Sequence, residues 1–440
     1  MRALAMLSVV SLIWTVCGVL TVIQLFMATK LFLAYLRPSY QESSSDDLPK
    51  AMAILCLRGT DPFLPECLRR LVSMNYTNYF LRIVIDSARD PARHLVQQFL
   101  DKHPKANVEV TYLRNRLPNC SGKVSGLLQA TEDIPMDCQV VAFFDGDTMV
   151  YPDCLRDLVA PLRDPKVGIT SGNRWYAPQG RGFASLVRYG WNSIAVSLMN
   201  VLQFPWGGCM AMRAETLRDE KTRRAMRETF NEDATLGSHV LRLGMRVEFV
   251  SEATIVNHEN IAFPSFYNFL VRQLLVARSS YFRWPLLFGQ SIGLNSFMAC
   301  WGLMALPIPH RDHLFVALSL VSSVLYLQAF VTELFVRRVV AARGEKSAPW
   351  KITEILGVPA ALACVCVLNF RATTRALIGG FHTWRGITYE FNYRRWKSPI
   401  SRIVAEVDIG IESPTIYLPA AIELHRELPM VLPTPTARRA

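Results

Sequence analysis

The chain is 440 residues long and 51% hydrophobic, with a formal net charge of +12 and a mean hydropathy of +0.19. That apolar content exceeds what the core of one soluble domain of this size takes up, which places part of the chain in a membrane. The positive charge does not indicate nucleic acid: the cations gather with aromatics in membrane-flanking segments such as Arg337-Arg338 and Arg394-Arg395-Trp396-Lys397, a pattern suited to an anionic lipid surface.

Ala3 to Thr29 comprises 27 residues without a charge, enough to cross a hydrocarbon core of about 30 Å. Neither its length nor the residues around Cys17, Gln24 and Lys30 fit a cleavable signal. Residues 1–36 therefore read as a retained anchor, and 37–49, with the polar run Glu42 to Asp47, as a linker. From residue 50 apolar runs alternate with amphipathic stretches. Strands are predicted at Ala51 to Leu57, Tyr79 to Ile85, Val108 to Leu113 and Gln139 to Phe144. Helices are predicted near Phe63 to Met74, Pro91 to His103 and Lys123 to Glu132, and again from Pro152. This is the rhythm of an α/β fold on a parallel sheet. Asp86 follows the second strand and Asp145 the fourth, so both carboxylates fall on the edge where open α/β sheets bind ligands.

Asp145-Gly146-Asp147 is the most informative triplet. Residues i and i+2 of an extended segment point the same way, so the two carboxylates can converge on one hard divalent cation; an acidic pair in a plain turn is the competing reading. Further along, Ser171 to Tyr176 and Pro205 to Met210 read as Gly- and aromatic-rich loops, each bringing an indole to a cleft rim. Trp206 either stacks on a sugar ring, with Gly207 and Gly208 letting the backbone approach, or packs in the core beside Pro205. Asn231-Glu232-Asp233 opens a helical run from Ala234 to Leu243. A helix start favours a charged carboxylate, and N-capping by Asn231 or Asp233 accounts equally well for part of the triplet.

Asn257 to Arg283 carries Phe263, Phe266, Tyr267 and Phe269 and reads either as a helix at a membrane interface or as an amphipathic core helix. The uncharged runs Trp284 to Pro309 and Leu314 to Thr332 are separated only by His310-Arg311-Asp312-His313, which predicts a transmembrane hairpin over 284–336. Cations after the first and third spans put the intervening domain, 50–283, on the cytoplasmic side. Ile355 to Phe370 has 16 residues, contains Pro359 and is flanked by cations; within the basic region 337–400 it is expected to re-enter or lie at the interface rather than span. Residues 401–440 read as a proline-bearing tail. Ten cysteines form no CxxC pair, so neither zinc nor a disulfide scaffold is indicated, and the sequons at Asn75 and Asn119 carry no weight in a cytoplasmic domain.

Taken in order, these motifs resemble those of a family-2-type glycosyltransferase of the GT-A fold, in the ceramide glucosyltransferase-like branch, over roughly Lys50 to Tyr389. Val84-Ile85-Asp86-Ser87 stands at the family's first aspartate, Asp145-Gly146-Asp147 at its metal motif, and Asn231-Glu232-Asp233 at its third acidic site. Arg272-Gln273 stands where an (Arg/Gln)-x-x-Arg-Trp signature begins, but Val276-Ala277 replaces the closing Arg-Trp, and Arg278 is the nearest cation. Trp384 to Tyr389 resembles a short motif that follows the last membrane segment in the same relatives.

The resemblance implies inverting, metal-dependent transfer of a sugar from a nucleotide-sugar, UDP-hexose above all, to a hydroxyl of a membrane lipid. Asp86, Arg58, Lys123 and Asp145 would bind the nucleotide-sugar, Lys123 reading equally as a solvated helix-start residue. Asp145 and Asp147 would hold Mg²⁺ or Mn²⁺ against the diphosphate. Asp233, beside Glu232, would be the base that takes the acceptor proton; one base without a covalent partner implies a single displacement. Trp206, Gly207, Gly208, Arg272, Gln273 and Arg278 would face the sugar or acceptor. His258 is either a further metal ligand or a structural strand-end residue. The rival readings are a processive polysaccharide synthase of the same fold and an inactive, membrane-anchored sugar-nucleotide-binding protein.

Overall fold

A computed structural model describes residues 2–37, 48–177, 182–391 and 401–406. Most of the linker and of the tail, and the basic Arg394 to Lys397 run, lie outside the described residues. The chain opens with helix α1 (Arg2–Leu36). It continues through β1 (Ala51–Leu57), α2 (Leu64–Val72), β2 (Tyr79–Ile85), α3 (Ala92–Lys102), β3 (Val108–Tyr112), α4 (Gly122–Ala130), β4 (Val140–Phe144) and α5 (Cys154–Val159). The four expected strands and the helices between them are present. β5 (Val167–Tyr176), α6 (Phe183–Leu202), β6 (Cys209–Arg213), α7 (Ala214–Arg218), α8 (Glu220–Arg227), α9 (Glu232–Arg242) and β7 (Arg246–Asn257) follow. Helices α10 (Phe263–Ser280), α11 (Trp284–Ala299), α12 (Arg311–Ala342) and α13 (Ile352–Ile378) lead to a small sheet of β8 (Gly380–Trp384), β9 (Ile387–Phe391) and β10 (Ser401–Glu406).

The main sheet runs β3-β2-β1-β4-β6-β5-β7. β1 to β4 are mutually parallel where they pair, β6 is antiparallel to both β4 and β5, and β5 is parallel to β7. Both faces are covered, which is why the central strands are continuous apolar runs and not alternating ones. Ala53, Leu55 and Leu57 of β1 pack with Leu64 and Leu68 of α2 and Val96 of α3. On the other face Met52 and Ile54 pack with Val124 and Leu127 of α4 and with Met210 and Met212 of β6. Ser171 to Tyr176, read from the sequence as a loop, is instead the second half of β5. Trp175 does not reach a cleft rim: it is fully buried, and its Nε1 donates to Glu333 Oε2 of α12 at 2.6 Å. A buried acid on an apolar helix supplied no periodicity that would have exposed this partner.

A third core joins the sheet to a helical layer. Among the described residues three helices, at Ser8–Leu36, Arg311–Ala342 and Ile352–Ile378, are long and apolar enough to cross a membrane. α13 differs from the expected short re-entrant segment: it is one helix of 27 residues running through Pro359. The sequence reading stopped at Arg371, but Ala372, Thr373 and Ala376 beyond it are buried and carry the helix on. The run from Trp284 forms a 16-residue helix that ends in a 3₁₀ turn at Cys300–Ala305, shorter than the predicted span. Polar contacts at the end of α1 tie it to the sheet. The Tyr35 hydroxyl lies 3.1 Å from the Thr254 hydroxyl of β7, and Arg37 pairs with Glu248 of the same strand.

Candidate active site

Parallel β1, β2 and β4 end together, so their C-terminal edge carries Arg58, Asp86 and Asp145 side by side. β6 enters the sheet antiparallel to β4 and brings the preceding Trp206-Gly207-Gly208 turn to that same edge. There the Asp145 amide and the Thr148 hydroxyl both donate to the Gly208 carbonyl, at 3.2 and 2.9 Å. The Gly207 amide donates to Asp233 Oδ2 at 2.7 Å. Only glycine fits this turn: a Cβ on Gly207 would lie 2.4 Å from Glu232 Oε1, and one on Gly208 2.6 Å from Asp145 Oδ2.

Asn231 caps α9, accepting from the Ala234 amide, and so holds Glu232 and Asp233 in the first turn with both side chains buried. Lys123, at the start of α4, reaches between the two acidic motifs. Its Nζ lies 2.6 Å from Asp145 Oδ1 and 2.6 Å from Glu232 Oε1. Burial works against the ammonium, but these two carboxylates outweigh it and raise its pKa. Burial likewise works against the Asp145 carboxylate, and Lys123 and Arg174 hold it below its ordinary value. Asp233 has no such cation of its own. Burial first, and then the charge of Glu232, push its carboxyl up to about 8.

Asp147 is gripped in bidentate fashion by Arg174, at 2.7 and 2.8 Å. The same guanidinium lies 3.7 Å from Asp145 Oδ2 and 4.8 Å from the centre of the Trp206 ring. Among the described residues no group of three or more His, Cys, Asp or Glu is arranged to hold a metal. The donor set nevertheless fits a hard cation. Mg²⁺-type ions are held by one or two carboxylates together with substrate phosphates, and here Lys123 and Arg174 supply positive charge to the Asp145 and Asp147 carboxylates. Two further acids stand close enough to feel Asp147. Burial and then Asp147 raise the carboxyls of Asp61 and Glu259, the latter to about 7.

Asp86 is placed at the edge as expected, but its carboxylate is already engaged by Arg58 and by Arg116 from the loop between β3 and α4. Over this region folds the β8–β9 hairpin, whose turn uses left-handed Arg385 and Gly386. The Tyr389 hydroxyl accepts from the Gly122 amide at 3.2 Å, and the Arg385 carbonyl accepts from Arg58 Nε at 2.8 Å. Phe230, just before the acidic triplet, packs among Trp384, Tyr389 and Phe391. Arg272 lies 5.1 Å from the Trp384 ring, with Gln273 half-buried next to it. Arg278 is drawn elsewhere: it donates to the Ala376 and Leu377 carbonyls near the end of α13. Buried Val276 and Ala277 occupy the positions of the missing Arg-Trp. Arg116 and Glu406 carried no signal in the sequence. Arg174 stood in a segment singled out for its tryptophan, and Arg385 in the short motif after the last long apolar run.

Comparison with known proteins follows this geometry. A beta-monoglucosyldiacylglycerol synthase of Trichormus variabilis is 25% identical over 142 residues, 31% of this chain and 29% of that protein, so the match spans under a third of the relative's length. Among solved structures, a Pyrobaculum calidifontis mannosyltransferase in complex with GDP-Man and Mn²⁺ is 15% identical over 83% of this chain and 99% of its own, with a TM-score of 0.48. TarS of S. aureus is 14% identical over 80% and 98%, at 0.37. Superpositions this loose decide nothing about substrate. The family model for glycosyl transferase family 21 matches residues 10–395, from α1 through the sheet and acidic motifs to the β8–β9 hairpin, and the chain belongs to that family and is a glycosyltransferase.

Proposed function

We propose that this enzyme transfers a hexosyl group from a UDP-sugar to a hydroxyl of a membrane lipid, with inversion, in a cytoplasmic domain anchored by several spans. The observation that carries the reading is Asp233. It is a buried carboxyl raised to about 8, aimed by the Gly207 amide and joined through Glu232 and Lys123 to the Asp145 motif. A base belongs where it can take the acceptor proton as the acceptor oxygen attacks the anomeric carbon. Among the described residues the carboxylate beside it, Glu232, is engaged by Lys123 and not held free as a nucleophile, which favours single displacement. Mg²⁺ or Mn²⁺, held by Asp145 and Asp147, would neutralise charge on the departing diphosphate. Lys123 and Arg174 supply positive charge at the same place.

The lipid acceptor is supported by position. α10 runs from the end of β7, beside Glu259, directly into α11 and packs on α13, so the chain leads from the neighbourhood of the carboxylates straight into the apolar helical layer. The name of the Trichormus relative, a synthase of a glucosylated diacylglycerol, points the same way. The test is transfer of radiolabel from UDP-glucose and a panel of other nucleotide-sugars into total lipid, with Mg²⁺ or Mn²⁺, by membranes carrying wild type or Asp233→Ala. Label entering the organic phase with wild type alone is expected. Label in a water-soluble polymer, or transfer undiminished by Asp233→Ala, overturns the reading.

A further inference from the structure

The edge beside Asp86 holds a four-charge cluster in which Arg116 and Glu406 join the Arg58 and Asp86 expected at the donor. Arg58 and Arg116 both bind Asp86, and both also bind Glu406 of β10, Arg58 at 3.1 Å. Two guanidiniums and two carboxylates leave the cluster neutral. The carboxylates are not equivalent. Asp86 is 8% exposed and follows a central strand, whereas Glu406 is 40% exposed and sits on an edge strand. Among the described residues β10 is attached by its ladder with β9, by the Ile403 amide donating to the Pro118 carbonyl, by Ile403 packing on the core and by the Glu406 ion pairs. Arg58 follows β1, which lies between β2 and β4, and so stands between Asp86 and the Asp145 motif. A diphosphate reaching from one to the other must pass it.

We propose that Arg58 and Arg116 form an anion subsite for the donor's phosphates, and that in the free protein the Glu406 carboxylate fills this subsite and is displaced when the donor binds. Guanidinium forks take phosphate oxygens in the bidentate geometry that they use for carboxylates. An incoming phosphate adds negative charge to a neutral cluster, so one carboxylate has to leave, and Glu406 is the one with solvent behind it. β10 is then a strap whose docking competes with the donor. This rests on the reading of the protein as a nucleotide-sugar transferase.

The experiment is equilibrium binding of inorganic diphosphate and of UDP to the full-length protein in detergent, for wild type, Glu406→Gln and the double variant Glu406→Gln/Arg116→Gln. If the strap is docked about nine-tenths of the time, freeing the subsite tightens binding about tenfold. Glu406→Gln is therefore expected to bind both ligands about tenfold more tightly, and the added Arg116→Gln to abolish the gain. Equal or weaker binding of both ligands by Glu406→Gln overturns the strap, even if sugar transfer is intact. Tighter diphosphate with UDP no better than diphosphate leaves the anion subsite standing and removes the nucleotide reading. A readout that needs no variant is hydrogen exchange on wild type: UDP is expected to speed exchange across residues 401–406. Slower or unchanged exchange there refutes displacement.

Discussion

Replacing Gly207 with alanine tests the packing of the carboxylate site most directly. The new Cβ would lie 2.4 Å from Glu232 Oε1, 3.0 Å from Asp233 Oδ2 and 3.2 Å from Asp233 Cβ, where ordinary contact begins at 3.4 Å. Either Glu232 or the turn must therefore move by about 1 Å. Glu232 cannot retreat freely, because it is 1% exposed and tied to Lys123 at 2.6 Å, and the turn cannot retreat without breaking the Gly207 hydrogen bond to Asp233. A misplacement of about 1 Å in a catalytic constellation costs about 100-fold in rate, and overpacking of this kind costs roughly 1–3 kcal/mol in stability. The assay is kcat for transfer of labelled sugar, read together with the thermal midpoint. Gly293→Ala is the control, since a Cβ there meets nothing within 4 Å. If Gly207→Ala keeps kcat within about threefold of wild type, the turn is not what aims Asp233, and the account of the site fails.

Because burial and Glu232 raise Asp233, the proposed base, to about 8, its ionised form is scarce at pH 6. The transfer rate is expected to climb with pH through about 8 and then level off; a profile already flat from pH 6 would remove Asp233 as the base. Lys123→Met leaves Asp145 and Glu232 facing each other without their shared cation. Stripping one partner from a buried pair costs about 3–5 kcal/mol. The loss should be largest where both carboxylates are charged and should shrink on acidification, as thermal melts across pH would record. Arg174→Lys keeps the charge but loses the two-pronged grip on Asp147. It is expected to lower activity about tenfold and raise the divalent cation concentration needed for half-maximal rate; unchanged metal dependence would show that Arg174 does not orient Asp147.

The parallel half of the sheet was legible because its strands are buried on both faces and announce themselves as apolar runs, two of them closed by aspartates. Lys123, Asp145 and Asp233 were legible for the same reason, each standing at the end of a strand or the start of a helix. What the sequence hid was pairing at long range. Arg116 sits in a loop without a pattern, and Glu406 lies nearly 300 residues further along the chain, so no local spacing connects either of them to Asp86. α13 was read too short because two arginines near its end look like a stop signal, although in the fold Arg375 folds back onto the Gly379 carbonyl. β5 was taken for a loop because glycine and asparagine interrupt it. Those residues mark the register shift between Ser171 and Asn173 against β7, where Gly172 has room for no side chain beneath the Ala253 carbonyl.

The joint between α1 and β7 has its own consequence for how the enzyme meets its acceptor. Tyr35 stacks on Phe335 of α12 and meets Phe249 edge-on while touching Thr254, and Arg37 closes on Glu248. The first helix is thus riveted to the sheet and does not act as a tether on a swivel. On the proposed reading, in which the long apolar helices lie in a bilayer, a catalytic domain held this way keeps one height above the lipid plane. A lipid acceptor would then be selected by how far its hydroxyl stands out from the membrane, much as a gauge sorts by depth. Deleting the first helix would lay bare Phe249 and Phe335 together.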